Sequence, residues 1–308
     1  MTVRLQPLTK ARLASLGDRG TEWAAALPGL LTALECDWGL RLGDSLPGGS
    51  NSYVLRATTA GGAPAVLKVA LDDTGLADQV RVLEAADGRG YARLLRCDLD
   101  RQALLLEELG APLDSSGLPA RQQLEVLADT LAIAWQPARQ SRIRAEQDKG
   151  LGLADLISDY WERLGGPCSI EVRDQALRYA AELADPPADS LVIVHGDPHP
   201  GNALAAPGSG VGAGSGYRFV DPDGFVADRA YDLGVTIRDF SPAVLREGRP
   251  LVESYACLLA DRTGVPAERI WQWAFVERVS TGLYVLGFDA EQVARRYLDS
   301  AELLLDAS

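Results

Sequence analysis

The spacing of apolar residues divides the chain into two regions. Between residues 40 and 69, short apolar runs alternate with Gly, Asn, Ser and Pro, a pattern typical of consecutive strands. Residues 76–86 (LADQVRVLEAA) have apolar residues at helical spacing, and residues 91–109 return to two strand-like runs. The first region therefore reads as strands, one helix and further strands.

After Gly110 the pattern becomes mainly helical. The turn-rich passage PLDSSGLPA precedes long segments with helical periodicity, such as ARQQLEVLADTLAIAWQ and LADLISDYWERL. A short strand, LVIVHG, interrupts these segments. We therefore place a boundary near residues 109–112, which divides the chain into regions 1–110 and 111–308.

The glycine-rich stretch APGSGVGAGSG, residues 206–216, is predicted to be the tip of a hairpin. A dinucleotide-binding fingerprint needs a strand, the glycines and then a helix, whereas here the strand-like YRFVD follows. We therefore reject a nucleotide-binding role for these glycines.

Composition and charge exclude several classes of protein. With 47% hydrophobic and 24% charged residues, the chain is typical of a folded globular protein. The net charge of -13 argues against nucleic acid or an anionic membrane as a partner and suits a cationic ligand. The four cysteines are widely spaced, and neither a signal peptide nor an apolar run of membrane-spanning length is present, so we expect a cytoplasmic location.

Two polar clusters in the second region suggest phosphoryl transfer. They lie in HGDPHPGN (residues 195–202) and VDPDGFVADRAYDLG (residues 220–234). This reaction needs a carboxylate to orient the acceptor hydroxyl, together with oxygen ligands that hold magnesium on the phosphates. Asp197, Asn202 and Asp221 provide these groups, and their order matches the catalytic loop and the downstream metal-binding Asp of protein kinases.

The first cluster resembles the HGDxHxxN signature of the aminoglycoside phosphotransferase superfamily, and the second is similar to that superfamily's second block. The resemblance implies that Asp197 is the catalytic base or acceptor-orienting group and that Asn202 and Asp221 bind magnesium. It implies structural roles for Asp228 and Asp232. The opening segment 20–57 and WAFVERVSTGLYVLG are similar to the branch of streptomycin 6-phosphotransferases and hydroxyurea phosphotransferases.

The resemblance also implies a fold and cofactors. The expected fold is α+β and bilobal like a protein kinase, with an antiparallel sheet plus a helix in the N-terminal lobe and a mainly helical C-terminal lobe. Region 1–110 would bind the nucleotide, and region 111–308 would bind the acceptor and carry out catalysis. ATP or GTP with Mg²⁺, and a monomer or a dimer, are expected.

A kinase of this kind needs a phosphate-binding lysine in its first half. Lys68 lies in the apolar strand AVLKVA, where an unpaired ammonium would be costly, and Glu84 on the next helix is its predicted partner. The predicted phosphate-covering turn contains Gly49, Ser50, Asn51 and Ser52. We expect the backbone of Glu108 and Leu109 to bind the nucleobase.

Acceptor-binding candidates lie on the predicted helices of the second region. Acidic side chains there could pair with an ammonium or guanidinium group. The resemblance implies that the C-terminal helices, one of which would carry a tryptophan, form the wall of the acceptor site. The candidates are Asp159, Asp239, Glu277 and Trp273. We therefore expect a small, hydroxylated and cationic substrate.

Together with these features, the resemblance implies a kinase that phosphorylates a hydroxyl of an aminoglycoside-like, streptomycin-type antibiotic and confers resistance. One alternative is a metabolic kinase of a small amine, an amino sugar or a hydroxyurea-like compound. A regulatory pseudokinase is a second alternative, which the complete set of Lys68, Asp197, Asn202 and Asp221 disfavours. A zinc hydrolase is a third, and the presence of only two histidines disfavours it.

Overall fold

The computed structural model describes most of the chain and separates it into two compact units. The described residues are 3, 5–47, 51–71, 75–137, 148–206, 214–288 and 290–305. The units are Met1–Leu109 and Gly110–Ser308. The change of unit falls where the apolar pattern changes from strand-like to helical.

The N-terminal unit contains a five-stranded sheet within its described residues. The strands are β1 (Arg41–Ser45), β2 (Ser52–Thr58), β3 (Pro64–Ala70), β4 (Leu94–Asp98) and β5 (Ala103–Glu107), in the spatial order β1-β2-β3-β5-β4. All neighbouring strands run antiparallel, as predicted. In the central strand β3, Ala65, Leu67 and Val69 are buried because alternate side chains of a strand point to the same face.

Helices complete the N-terminal unit. They are α1 (Pro7–Ser15), α2 (Asp18–Trp38) and α3 (Leu76–Ala86). Leu27, Leu31 and Leu34 of α2 are spaced three and four residues apart, so they share one face and pack in the same core as the buried side chains of β2 and β3. Gly39 ends α2 in the left-handed conformation (φ 62°), which glycine adopts without steric cost.

The C-terminal unit is mainly helical. Its helices are α4 (Ala120–Ala134), α5 (Lys149–Arg163), α6 (Ile170–Leu183), α7 (Arg229–Arg238), α8 (Ser241–Glu247), α9 (Arg249–Thr263), α10 (Ala267–Leu286) and α11 (Glu291–Glu302). Helix α10 packs against α5, α6, α7, α9 and α11. Its close approach to α7 requires Gly234, because a Cβ at this position would lie 2.5 Å from the Cβ of Trp273. The predicted α+β class, with an antiparallel sheet followed by a mainly helical region, is confirmed.

Short strands cross this helical unit. They are β6 (Gln136–Pro137), β7 (Leu191–Val194), β8 (Ala203–Ala205), β9 (Tyr217–Phe219) and β10 (Phe225–Asp228). Strand β7 lies between β6 and β10 and is antiparallel to both. Strands β8 and β9 pair antiparallel, as a hairpin requires, and residues 207–213 of its predicted tip lie outside the described residues.

A helix that crosses a membrane must be both long and apolar. Within the described residues, no helix combines the length and the apolar character needed to cross a membrane.

Candidate active site

The two polar clusters meet because β7 and β10 pair with each other. The first residue of β10 lies opposite the last residue of β7, so the chain before β10 runs beside the chain after β7. Two main-chain hydrogen bonds join the clusters. The N–H of Asp223 donates to the carbonyl oxygen of His195 at 2.8 Å, and the N–H of Val220 donates to that of Asn202 at 2.9 Å. The clusters therefore form one site.

His195 is a buried support of the first cluster. Its Nε2 lies 2.9 Å from the carbonyl oxygen of Val220, and its Nδ1 accepts a hydrogen bond from the N–H of Asp197 at 3.1 Å. Nδ1 therefore has no proton, and Nε2 is the donor. Burial lowers the pKa of His195 to about 4, which keeps the ring neutral near pH 7. These contacts suit a residue that holds the loop rather than one that transfers protons.

Asp232 of α7 holds the same loop through its backbone. Its buried carboxylate accepts hydrogen bonds from the N–H groups of His195 and Gly196, both at 2.9 Å. It also accepts one from the indole N–H of Trp135 at 2.9 Å. Burial raises the pKa of Asp232 to about 6, and these hydrogen bonds oppose the rise. Asp232 thus has a structural role in this site.

Gly196 lets the two clusters approach closely. It has a φ of 95°, a conformation that other residues rarely adopt, and a Cβ here would lie 2.7 Å from the Cβ of Asp223. The Asp223 side chain itself is exposed. The glycine of the HGD sequence is therefore a packing requirement.

Asp197 extends from this loop and pairs with Arg238. Nη2 of Arg238 donates to Oδ1 at 2.5 Å, while Nε2 of His199 lies 3.7 Å from Oδ2. Burial acts to raise the pKa of Asp197, but the charges of Arg238 and His199 outweigh it and hold the pKa below its usual range. The side chain is 38% exposed. Asp197 is thus an ionised carboxylate that an acceptor can reach.

Asn202 and Asp221 have the donor atoms that magnesium prefers. The Nδ2 of Asn202 donates to the carbonyl oxygen of Asp197 at 3.0 Å, which turns the amide oxygen away from that carbonyl. Asp221 has a φ of 58°, and such strained non-glycine conformations concentrate at functional sites. Amide and carboxylate oxygens suit Mg²⁺. The assignment of both residues as metal ligands stays a prediction.

A metal ion could also be held by a cluster of His, Cys, Asp or Glu side chains. In the part of the chain that the structure describes, no group of three His, Cys, Asp or Glu side chains has the arrangement of a metal site. A metal held by Asp221 would therefore need the Asn202 amide, oxygen atoms of the substrate or water to complete its coordination.

In the N-terminal unit, Lys68 contacts Gln79 rather than the predicted Glu84. Nζ of Lys68 donates to Oε1 of Gln79, a buried residue of α3, at 3.0 Å. Glu84 lies five residues further on, which turns it about 140° around the helix. It is exposed and lies near Cys97 of β4. The predicted pairing of Lys68 with Glu84 is therefore wrong.

The predicted phosphate-covering turn is partly outside the described residues, which exclude Gly49 and Ser50. Asn51 is exposed, and its carbonyl oxygen accepts a hydrogen bond from the N–H of Leu71. Ser52 begins β2 and is buried. Phosphate binding by this turn stays a prediction.

The end of the sheet was predicted to bind the nucleobase. The side chain of Glu108 accepts a hydrogen bond from Arg56 at 2.9 Å, and Leu109 is partly buried. These positions concern side chains, whereas the prediction concerns backbone groups. It therefore stays a prediction.

Two of the predicted acceptor-binding residues are buried in the C-terminal unit. Trp273 packs edge-on against Tyr231, with ring centroids 5.1 Å apart. Glu277 lies 3.4 Å from Nη1 of Arg238. Their burial argues against direct contact with an acceptor, because α10 is surrounded by other helices and this stretch of it faces the core. Acceptor binding by either residue stays a prediction.

The other two acceptor candidates are accessible. Asp239 lies 3.2 Å from Nε of Arg238 and 3.8 Å from Nδ1 of His199, and it therefore borders the site. Asp159 lies on α5, is 62% exposed and pairs with Arg163 at 3.4 Å. The binding of an acceptor by either residue stays a prediction.

Arg238 is the site residue that sequence reasoning missed. An arginine in the last turn of a helix is usually read as an exposed residue that stabilises the helix terminus. The available signal was its position six residues after Asp232, on the helix that follows the second cluster. Its side chain is only 13% exposed.

Comparison with known proteins identifies the family. Residues 38–286 match the family described as aminoglycoside/hydroxyurea antibiotic resistance kinase. The chain belongs to this family. A hydroxyurea phosphotransferase from Kitasatospora aureofaciens is 30% identical over 305 residues, which cover 97% of this chain and 84% of that protein. A streptomycin 6-kinase from Streptomyces glaucescens is 27% identical over 229 residues, which cover 74% and 72%.

Solved structures of kinases share the fold. An aminoglycoside phosphotransferase from Streptomyces rimosus, solved with ADP and streptomycin, has a TM-score of 0.55 and 22% identity, covering 83% of this chain and 98% of that one. A choline kinase from Streptococcus pneumoniae has a TM-score of 0.58 and 15% identity, covering 89% and 96%. At these identities the likeness concerns the fold.

Membership of the aminoglycoside/hydroxyurea antibiotic resistance kinase family makes the chain a phosphotransferase with an alcohol group as acceptor. The resemblance to the aminoglycoside phosphotransferase superfamily, and to its streptomycin and hydroxyurea branch, is confirmed.

Proposed function

We propose that this kinase transfers the γ-phosphate of ATP to a hydroxyl group of a cationic, streptomycin-type antibiotic and so confers resistance. The charge around Asp197 supports the proposal. Asp197, Asp239 and Glu277 all contact the single guanidinium of Arg238. Asp197 and Asp239 are the partly exposed carboxylates of this group, at 38% and 26%, and negative charge at these positions attracts a cationic acceptor.

The described contacts suggest how the residues divide the work. Asp197 would accept a hydrogen bond from the acceptor hydroxyl and take its proton late, because its lowered pKa suits orientation better than strong base catalysis. Asn202 and Asp221 would hold magnesium, which neutralises charge on the phosphate oxygens when bound. Lys68, oriented by Gln79, would bind the phosphates of the nucleotide.

A phosphotransfer assay with ATP and Mg²⁺ tests the proposal. Wild-type enzyme is incubated with streptomycin, other aminoglycosides, amino sugars and hydroxyurea, and phosphorylated products are detected by mass spectrometry. Asp197→Asn should lower kcat by about 10²–10⁴-fold. Asp129→Asn is the matched control, since Asp129 pairs with Arg262 on the surface, and it should keep the wild-type rate.

Two results would contradict the proposal. One is a wild-type enzyme that phosphorylates no member of the panel, and the other is an Asp197→Asn variant with unchanged kcat. Resistance to streptomycin on expression in a susceptible host tests the biological role separately.

Hydroxyurea, or another small neutral hydroxyl compound, is the second candidate acceptor. The 30% identity to a hydroxyurea phosphotransferase over 97% of the chain favours it. The ratio of kcat/KM values for the two acceptors decides between them. A cationic acceptor should also lose kcat/KM as the salt concentration rises, whereas a neutral one should not.

A further inference from the structure

The guanidinium of Arg238 connects three parts of the C-terminal unit. Nη2 contacts Asp197 at 2.5 Å, Nε contacts Asp239 at 3.2 Å, and Nη1 contacts Glu277 at 3.4 Å. These carboxylates come from the loop after β7, the end of α7 and the core helix α10. A planar group whose three nitrogens each face a different carboxylate has little freedom to rotate.

Glu277 holds the guanidinium of Arg238 against the core of the C-terminal unit. It is buried on α10, and its carboxylate contacts the hydroxyl of Thr281 at 3.5 Å and that of Tyr231. Because α10 packs against five other helices, Glu277 has a fixed position in the core. Through its contacts with Glu277 and Asp197, the guanidinium of Arg238 therefore links the loop after β7 to helix α10.

The contact with Arg238 uses one carboxylate oxygen of Asp197, Oδ1. Oδ1 accepts the hydrogen bond, and the distance of 3.7 Å from Oδ2 to Nε2 of His199 is too long for one. With the side chain 38% exposed, Oδ2 is the oxygen that an acceptor hydroxyl can approach.

We propose that Arg238 is a positioning residue that fixes the side-chain rotamer of Asp197 and directs Oδ2 to the acceptor hydroxyl. The inference rests on the proposed function, in which Asp197 orients the acceptor. Lysine cannot replace Arg238 fully, since a single ammonium does not reproduce the planar geometry that reaches three carboxylates in fixed directions. Misplacement of a catalytic group by about 1 Å can cost about 100-fold in rate.

The test compares Arg238→Lys and Arg238→Met with Arg269→Lys. Arg269 pairs with buried Asp228 at 2.6 Å, and Asp228 caps α7 by accepting from the N–H of Ala230, so this control loses a similar ion pair away from Asp197. Both Arg238 variants should lose about 100-fold in kcat, with KM for ATP and acceptor changed by less than about threefold. Arg269→Lys should lower the melting temperature comparably and keep kcat.

A double variant separates positioning from a general structural role. If Arg238 acts through Asp197, then Asp197→Asn with Arg238→Met should be no slower than Asp197→Asn alone. Fully additive losses in the double variant would overturn the inference. Wild-type kcat in both Arg238 variants, with an inactive Asp197→Asn variant, would also overturn it but would leave the proposed function standing. An inactive wild type would overturn both. If Arg238→Met fails to fold, Arg238→Lys is combined with Asp197→Asn instead.

Discussion

The buried, neutral ring of His195 makes the stability of the C-terminal unit depend on pH. Its pKa is about 4 in the folded protein, against an ordinary value of 6.5. As the pH falls below 6.5, the unfolded chain binds a proton that the folded chain excludes, so stability is lost between pH 6.5 and about pH 4. The two pKa values correspond to a full loss of about 3 kcal/mol, of which about 2 kcal/mol is already lost at pH 5.

The contacts of the ring explain the cost. A proton on Nδ1 would remove the acceptor for the N–H of Asp197 and place a charge in a fully buried position. Asp232 acts in the opposite direction over the same range, because its pKa is raised to about 6 and the folded protein gains a proton there first. The pH dependence of the wild type alone is therefore a sum of opposing effects, and a comparison with a His195 variant is needed.

Urea unfolding of the wild type and His195→Asn at pH 7.5 and pH 5, followed by tryptophan fluorescence, measures this contribution. The variant should be less stable at pH 7.5, and its deficit should shrink by about 2 kcal/mol at pH 5. His199→Asn, which removes a partly exposed histidine from the same loop, is measured in parallel under the same conditions. An equal deficit of His195→Asn at both pH values would refute the reasoning.

Other substitutions test separate features. Gly196→Ala should lower kcat at least about tenfold in steady-state assays, because its Cβ would lie 2.7 Å from a side-chain atom of the second cluster. Gly234→Ala should lower the free energy of unfolding by about 1–3 kcal/mol in thermal melts, since α7 and α10 would have to separate, and an unchanged melting temperature would contradict the packing. Gln79→Ala should raise KM for ATP several-fold through Lys68, whereas Glu84→Ala should not, and the reverse result would restore Glu84 as the partner.

Periodicity predicted the sheet and one helix of the N-terminal unit but not α1 and α2, which precede the segments interpreted from the sequence. The segment 76–86 was predicted as a helix and forms α3, and the strand-like runs on both sides form the antiparallel sheet. Both patterns are visible in short stretches of sequence, because the residues that face the core recur at the period of the helix or the strand and are apolar. The polar clusters could also be found from sequence, since they lie at the ends of short apolar runs, residues 191–194 and 217–220.

Contacts between elements could not be predicted in the same way. Gln79 and Glu84 lie on the same helix, and the one that meets Lys68 depends on how α3 packs on the sheet. Glu277 reads as a surface acid until the position of α10 is known. Arg238 likewise becomes a site residue only through the fold, which brings the end of α7 beside the loop that carries Asp197.

Attachment of the loop after β7 through its main chain has a consequence for how the molecule tolerates substitution. The loop is bound at the N–H groups of His195 and Gly196 and at the carbonyl oxygen of Asn202. Most side-chain substitutions on exposed surfaces, such as the accessible face of α5, leave these bonds unchanged. Substitutions on those surfaces therefore leave Asp197 in its place.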